Sequence, residues 1–157
     1  MPTPLDGWWQ IDQSNALRSS ELRRLLQLWE GRRNGAAVPR RDDFSAEELM
    51  GYGGRVVLID VDQAPFRLRF RLIGTHVTMA VGRDSTGCYL DEVYDSVYWD
   101  RLRRHFLQLI EDRRPLRMFG NMAHSLKPFV AAESIDMPLA GSDGAVEMIL
   151  QGFDFEL

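Results

Sequence analysis

Residues Val56–Asp62 read V-V-L-I-D-V-D, and residues Phe66–Thr75 read F-R-L-R-F-R-L-I-G-T. The first segment is a short apolar run rich in β-branched residues, which is typical of a buried strand. The second segment alternates with a period of two, as a half-buried strand does. Its apolar positions are Phe66, Leu68, Phe70 and Leu72, and arginine stands between them at 67, 69 and 71. The pattern predicts paired strands at 56–61 and 66–73.

The next segment is polar and interrupted by glycine. Residues Gly82–Tyr94 read G-R-D-S-T-G-C-Y-L-D-E-V-Y, without a long helical repeat. Short helical turns are expected here, beside the predicted strand pair. A hairpin that runs into short helices next to a sheet can enclose a pocket, but this pattern alone does not indicate catalysis.

The rest of the chain supplies helices and further strands. A helix is predicted at 14–30, with Ser19 or Ser20 as the cap of a shorter version and Gly31 at its end. Ser45 and Glu48 form a capping-box pattern for a second, short helix. A longer helix is expected at 96–113, and strands at 116–123, 127–138 and 145–155. The sequence therefore predicts an α+β fold: a five-stranded antiparallel sheet with helices on one face and an N-terminal amphipathic helix.

Composition limits the possible function classes. The 157 residues are 45% hydrophobic and 27% charged, with a net charge of −4, which indicates one ordinary globular domain. A negative net charge disfavours nucleic-acid binding. The single cysteine, Cys88, excludes an intrachain disulfide and fits a reducing cytoplasm. The apolar runs are too short for a membrane span, and residues 1–13 lack the features of a secretory signal.

Several spaced motifs point to a known family. They are Trp29 with Arg33, P-R-R-D-D-F at 39–44, R-L-I-G-T at 71–75, G-R-D-S-T-G at 82–87, Glu133, P-L at 138–139 and D-G-A-V at 143–146. In this order they resemble a PAS domain, in particular the bacterial branch often found as a stand-alone single-domain protein. The resemblance implies a sensory or regulatory module, commonly dimeric through its N-terminal helix, that binds a small molecule or a protein partner. It supplies no ligand, so the cofactor stays unknown.

On this basis the chain divides into residues 1–43, an N-terminal helix and loop for dimerisation or capping, and residues 44–157, a PAS-like core. The ligand pocket is expected between the second strand, the long helix and the inward face of the later strand. The predicted ligand-binding residues are Phe70, Leu72, His76, Tyr98, Trp99, Leu102, Phe129, Glu133 and Ile135.

Glu133 shares one face of its predicted strand with apolar residues, so its carboxylate is expected to point into the interior. A buried carboxylate needs a partner or a proton. One interpretation is a polar anchor in the pocket. The other, which the pattern favours, is a structural salt bridge or a hydrogen bond to backbone.

The histidines and the cysteine allow cofactor hypotheses. In haem-binding PAS domains the long helix supplies the iron ligand, so a haem sensor using His105 is one alternative. An interfacial or solvent-edge histidine is the favoured interpretation. Histidines at 76, 105 and 124 lack the spacing of a zinc site, which argues against a metal. Cys88 lies near the position of the reactive cysteine in flavin-binding PAS domains, but the residues that flank that cysteine are absent. A small buried or half-buried thiol is the favoured interpretation.

An enzyme is the remaining alternative, because Tyr98, Glu133 and His76 could converge as an acid–base pocket. No nucleophile elbow, phosphate-binding loop or metal motif supports it. The sequence therefore favours a sensory module without catalysis, which passes its signal to a separate signalling protein.

The N-terminal region predicts a homodimer. The apolar stripe of the first helix needs a cover, and the upstream tryptophan pair adds exposed apolar area. The predicted interface residues are Trp8, Trp9, Leu22, Leu25, Leu26 and Trp29. The alternative is that the helix packs on its own sheet.

Overall fold

A computed structural model describes residues 9–121 and 130–156. In these ranges the chain forms six strands: β1 (Trp9–Asp12), β2 (Val56–Gln63), β3 (Phe66–Ile73), β4 (Leu116–Asn121), β5 (Ala131–Ala140) and β6 (Val146–Phe155). They form one antiparallel sheet in the order β1-β4-β5-β6-β2-β3.

Within the same described ranges, five α-helices accompany the sheet: α1 (Ser20–Arg32), α2 (Ala46–Met50), α3 (Thr75–Val81), α4 (Leu90–Val93) and α5 (Ser96–Asp112), with a 3₁₀ turn at Arg41–Asp43. Local capping explains where they begin. The side chain of Ser19 accepts a hydrogen bond from Leu22 at the start of α1, and Asp95 does the same for Tyr98 in α5. The capping box of Ser45 and Glu48 is confirmed at α2.

Two hydrophobic cores lie on opposite faces of the sheet. One core includes Val57, Ile59, Phe70 and Phe106, on the side of α3, α4 and α5. The other includes Leu22, Leu25, Trp29 and Met137, on the side of α1 and α2. The α+β class and the antiparallel sheet are confirmed, but the helices cover both faces.

The predicted count of five strands is wrong by one. The additional strand, β1, pairs with β4 at the edge of the sheet, with Trp9 opposite Gly120 and Asp12 opposite Arg117. Residues 9–43 therefore share the sheet and its cores with the rest of the described chain, because β1 lies in the sheet and α1 covers it.

A β-bulge changes the faces of β3. Phe70 lies opposite Ile59, whereas Leu72 lies opposite Leu58, so Arg71 has no partner of its own. The inserted residue reverses the alternation. As a result Leu72 packs on the α1 side of the sheet, while Ile73 lies on the opposite side.

Steric crowding explains why glycine occupies position 74 in R-L-I-G-T. Gly74 passes directly over the backbone of Gly54, and a Cβ at position 74 would collide with the Gly54 carbonyl. The backbone N–H of His76 donates to that same carbonyl at 3.1 Å. This close approach fixes the start of α3 against the end of the loop before β2.

The apolar stripe of α1 is covered by the chain's own sheet. Leu22, Leu25 and Trp29 are fully buried, and the indole Nε1 of Trp29 donates to the carbonyl of Pro138 at 2.9 Å. The prediction that this stripe needs a second copy is therefore wrong, and these three residues do not form a dimer interface. Leu26 is half-buried in the same core, Trp9 faces the other side of the sheet, and Trp8 lies outside the described residues. Homodimer formation itself stays a prediction, which sedimentation of the 157-residue chain tests.

Candidate functional site

A cavity of about 150 Å³ lies between the sheet and helices α3, α4 and α5. Its wall is mainly apolar. The aromatic part of the wall includes Trp9, Phe70, Tyr98, Phe106, Phe153 and Phe155, and aliphatic side chains such as Val57, Ile59 and Leu102 complete it. A mostly apolar cavity with a few polar groups is the usual character of a small-molecule site.

One region of the cavity wall is polar. The carboxylate of Asp136 is only 1% exposed. It contacts the Nε2 of His105 through Oδ2 at 2.8 Å and the side-chain amide of Gln151 through Oδ1 at 3.1 Å. An ionised carboxylate only accepts hydrogen bonds, so the proton of His105 lies on Nε2 and the NH₂ of Gln151 faces Asp136. The three side chains form a buried hydrogen-bonded group, which we call the polar triad.

Two tyrosines and a tryptophan form another part of the wall. The rings of Tyr94 and Tyr98 lie 4.7 Å apart, and the side chains of Tyr98 and Trp9 are hydrogen-bonded. Burial raises the pKa of both phenols. Their hydroxyl groups therefore stay neutral and remain hydrogen-bond donors across the physiological pH range.

Three of the predicted ligand-binding residues line the cavity: Phe70, Tyr98 and Leu102. Three others lie outside its wall. Leu72 turns to the α1 side because of the β-bulge, Trp99 packs at the edge of the adjoining core, and His76 contacts the end of β6. Phe129 lies outside the described residues, as does His124.

The placement of Glu133 and Ile135 on the cavity is wrong. Glu133 and Ile135 lie in β5, and their side chains project to the α1 side of the sheet. Strand β5 is buried on both faces, so the apolar residues next to Glu133 mark the core under α1 and not the ligand cavity. An acid–base pocket around Glu133, the enzyme alternative, therefore does not form.

Glu133 has the structural role that its sequence context favours. Its carboxylate accepts hydrogen bonds from the backbone N–H groups of Arg18 and Ser19, each at 2.8 Å, and from the Nε of Arg117 at 2.6 Å. Arg117 also contacts Asp12 at 3.0 Å. Hydrogen bonds from Ser14 and Ala16 to Asp12 help to lower the pKa of that carboxyl to about 2. These groups bind β1 and the start of α1 to β4 and β5.

His76 is held in its neutral form. Its Nε2 accepts a hydrogen bond from the backbone N–H of Phe155 at 3.1 Å, which leaves the ring proton on Nδ1. Burial lowers the pKa of His76, and the charge of Arg55 adds to this effect, although Asp154 at 3.6 Å opposes it. Protonation of Nε2 would remove the hydrogen bond to the end of β6.

We expect acid to destabilise the protein through His76. The unfolded chain takes up this proton near pH 6.5, at higher pH than the folded protein, so stability falls as the pH drops below about 6.5 and levels off below the folded pKa. His76→Gln keeps an acceptor but does not titrate. Urea unfolding of both proteins between pH 7 and 5 should show a loss that is larger in the wild type. Equal losses would contradict this role.

The side chain of His105 is only 8% exposed, so of the two expected positions, interfacial or solvent-edge, the solvent-edge position is wrong. The haem alternative does not fit this arrangement. Nε2 of His105 is hydrogen-bonded to Asp136, and a cavity of about 150 Å³ is comparable to one that accommodates benzene, so it is too small for a porphyrin.

Cys88 is exposed, so the expectation of a buried or half-buried thiol is wrong. Its backbone is fixed beside β3, since the carbonyl of Cys88 accepts from the N–H of Phe70 and the N–H of Gly87 donates to the Phe70 carbonyl. This bridge orders the segment, while the side chain is left on the surface. Across residues 9–121 and 130–156, no cluster of three or more potential metal ligands is found.

The polar part of the cavity was not predicted from the sequence. Ser134 and Asp136 alternate with Ile135 and Met137 in S-I-D-M, and Gln151 lies directly opposite Asp136 in β6. The period-two pattern places these two polar side chains on the face of the strand opposite to Ile135 and Met137. Paired polar positions at the centre of two otherwise apolar strands were the available signal.

The α+β fold has one antiparallel sheet, and a cavity lies between one face of this sheet and helices α3, α4 and α5. The PAS domain family model matches residues 17–152, so the chain belongs to the PAS domain family and is a sensory module. A sensory box sensor histidine kinase from Vibrio cholerae is similar in structure, with a TM-score of 0.49 and 16% identity; the match covers 69% of this chain and 86% of that chain. No curated protein matches the chain. Among the helices described, none has the length and apolarity to cross a membrane.

Proposed function

We propose that this PAS domain binds a small molecule in the cavity between the sheet and α5, and passes the occupancy of that cavity to a protein partner. The observation that carries the proposal is an interior space of about 150 Å³, lined by aromatic side chains and containing the polar triad. Protein interiors are normally close-packed, so a space of this size with oriented polar groups supports a binding role.

The N-terminal segment provides a route for the signal. Trp9 lies on the cavity wall and belongs to β1, whose last residue, Asp12, is paired with Arg117. Arg117 in turn holds Glu133, which binds the backbone at the start of α1. A ligand that contacts Trp9 differently in two states of β1 would shift the equilibrium between them, and α1 would present the change to a partner.

The proposal includes no catalysis. A hydrolytic relay on the polar triad would need a hydroxyl or thiol hydrogen-bonded to His105. Ser134 lies on the same cavity wall, but no hydrogen bond joins it to His105 in the structure. The His105–Asp136 pair instead supports a role in holding a ligand.

A cavity-filling variant tests the proposal. Leu102→Phe places a ring into the cavity from α5, whereas Leu107→Phe adds the same group on the same helix away from the cavity wall. Native mass spectrometry of freshly purified protein should show a bound small molecule in the wild type and in Leu107→Phe, and at least a tenfold lower occupancy in Leu102→Phe. Equal occupancy in the two variants would place the ligand elsewhere and contradict the proposal.

A further inference from the structure

After the hydrogen bonds within the polar triad are formed, its side chains have more acceptor sites than donor sites available to a ligand. A carboxylate has about four lone-pair sites, and Asp136 uses two of them for His105 and Gln151. The Oε1 of Gln151 points away from Asp136, because its NH₂ group is the part that faces the carboxylate. A ligand at this end of the cavity therefore meets acceptors.

Ser134 adds an unpartnered polar group beside the polar triad. It is 2% exposed and precedes Asp136 by two residues, so both side chains lie on the cavity face of β5. In the described part of the chain its hydroxyl makes no hydrogen bond. Because this hydroxyl lies on the cavity wall, a ligand group that reaches it can form a hydrogen bond with it.

The remaining wall near Ser134 is aromatic. Phe153 lies opposite Ser134 in β6, and its ring is stacked parallel to that of Phe155 at 5.7 Å. Trp9 approaches Phe153 edge-on at 6.5 Å. Offset-stacked and edge-to-face contacts are the arrangements that aromatic rings prefer, so this wall suits a flat ring.

From these observations we infer that the ligand is a small planar aromatic molecule carrying an N–H or O–H donor, of the indole, aniline or phenol class. Its ring packs against Trp9, Phe153 and Tyr98. Its donor hydrogen is accepted by the Ser134 hydroxyl or by the free lone pair of Asp136. This inference rests on the proposed function, since it names the ligand class of the same cavity.

Matched pairs of probes test the inference. Indole and indene have nearly the same shape, but only indole has the N–H; phenol and toluene differ likewise in the O–H. We expect indole and phenol to bind roughly tenfold more tightly than indene and toluene, because the donor satisfies otherwise unpaired acceptors. Titrations followed by the chemical shifts of ¹⁵N-labelled protein give the four dissociation constants.

Variants connect the discrimination to the residues. Ser134→Ala removes the hydroxyl without breaking a hydrogen bond within the described structure, and Ser142→Ala changes an exposed serine in a turn as the control. In Ser134→Ala the preference for indole over indene should fall about threefold or more, while Ser142→Ala leaves it unchanged. Asp136→Asn, compared with wild type at equal folded fraction, should reduce the same preference.

The outcomes separate this inference from the proposed function. If indole and indene bind with equal affinity, and Ser134→Ala changes neither affinity, the inference about the ligand class is overturned. The proposal that the cavity binds a small molecule is not affected by that result. If none of the four probes binds, the inference is again overturned, and the occupancy of Leu102→Phe relative to Leu107→Phe decides the proposed function independently.

Discussion

Replacing Arg117 by alanine is expected to lower the free energy of unfolding by about 3 kcal/mol. Arg117 and Glu133 are both buried, and their side chains meet at 2.6 Å. Without the guanidinium, Glu133 is left as a buried carboxylate with only two backbone N–H partners. Losing one partner of a buried ion pair costs more than the pair contributes, because the remaining charge is uncompensated.

Urea unfolding monitored by far-UV circular dichroism measures this loss. The control is Arg104→Ala, which breaks the exposed ion pair with Asp100 and should change stability by less than about 0.5 kcal/mol. Glu133→Gln introduced into Arg117→Ala should recover part of the loss, since it removes the unpaired charge. Equal effects of Arg117→Ala and Arg104→Ala would show that the network at the start of α1 contributes little.

Trp29→Ala should cost about 4 kcal/mol, which is a large part of the stability of a domain of this size. The side chain is completely buried in the core under α1, and its indole donates to the carbonyl of Pro138. Truncation leaves both a cavity and an unpaired carbonyl. Trp29→Phe, which keeps most of the apolar volume, should cost less than half as much.

The same experiment decides whether α1 packs within the chain. If the contact is intramolecular, the unfolding midpoints of wild type and Trp29→Ala do not depend on protein concentration. Gln27→Ala, an exposed position on the same helix, serves as the control and should be nearly neutral. A wild-type midpoint that rises steadily with protein concentration would instead support helix α1 as part of an interface.

Local patterns were sufficient to predict most of the elements. The alternation at 66–73 and the apolar run at 56–61 correspond to β3 and β2, because period-two burial is a property of each strand by itself. Capping by Ser19 and Ser45 likewise depends only on neighbouring residues. Sequence reasoning recovered these features because the physical cause lies within a few residues.

Features set by distant residues were not predictable in this way. Strand β1 is only four residues long, and its pairing partner lies more than a hundred residues away in the chain. The bulge at Arg71 depends on the register with β2, and it moved Leu72 away from the cavity.

The candidate site was misassigned for a related reason. Both faces of β5 are buried, so hydrophobicity could not show which face adjoins the cavity. Glu133 and Ile135 were assigned to it because their face is more apolar. The face with Ser134 and Asp136 adjoins it instead, because the cavity uses polar groups that a close-packed core would exclude. The face that adjoins the cavity is recognised only from the hydrogen bonds of Asp136 to His105 in α5 and to Gln151 in β6.

The position of the ligand is the central claim, and methyl NMR tests it most directly. Indole is titrated into protein labelled at isoleucine, leucine and valine methyl groups. The cavity predicts large shift changes for Val57, Ile59 and Leu102, and negligible changes for Leu22, Leu25 and Leu150 in the core on the opposite face of the sheet. Shift changes confined to the α1 side would contradict a binding cavity between the sheet and α5. The absence of shift changes on both faces, for indole and for a wider set of small aromatic molecules, would contradict it as well.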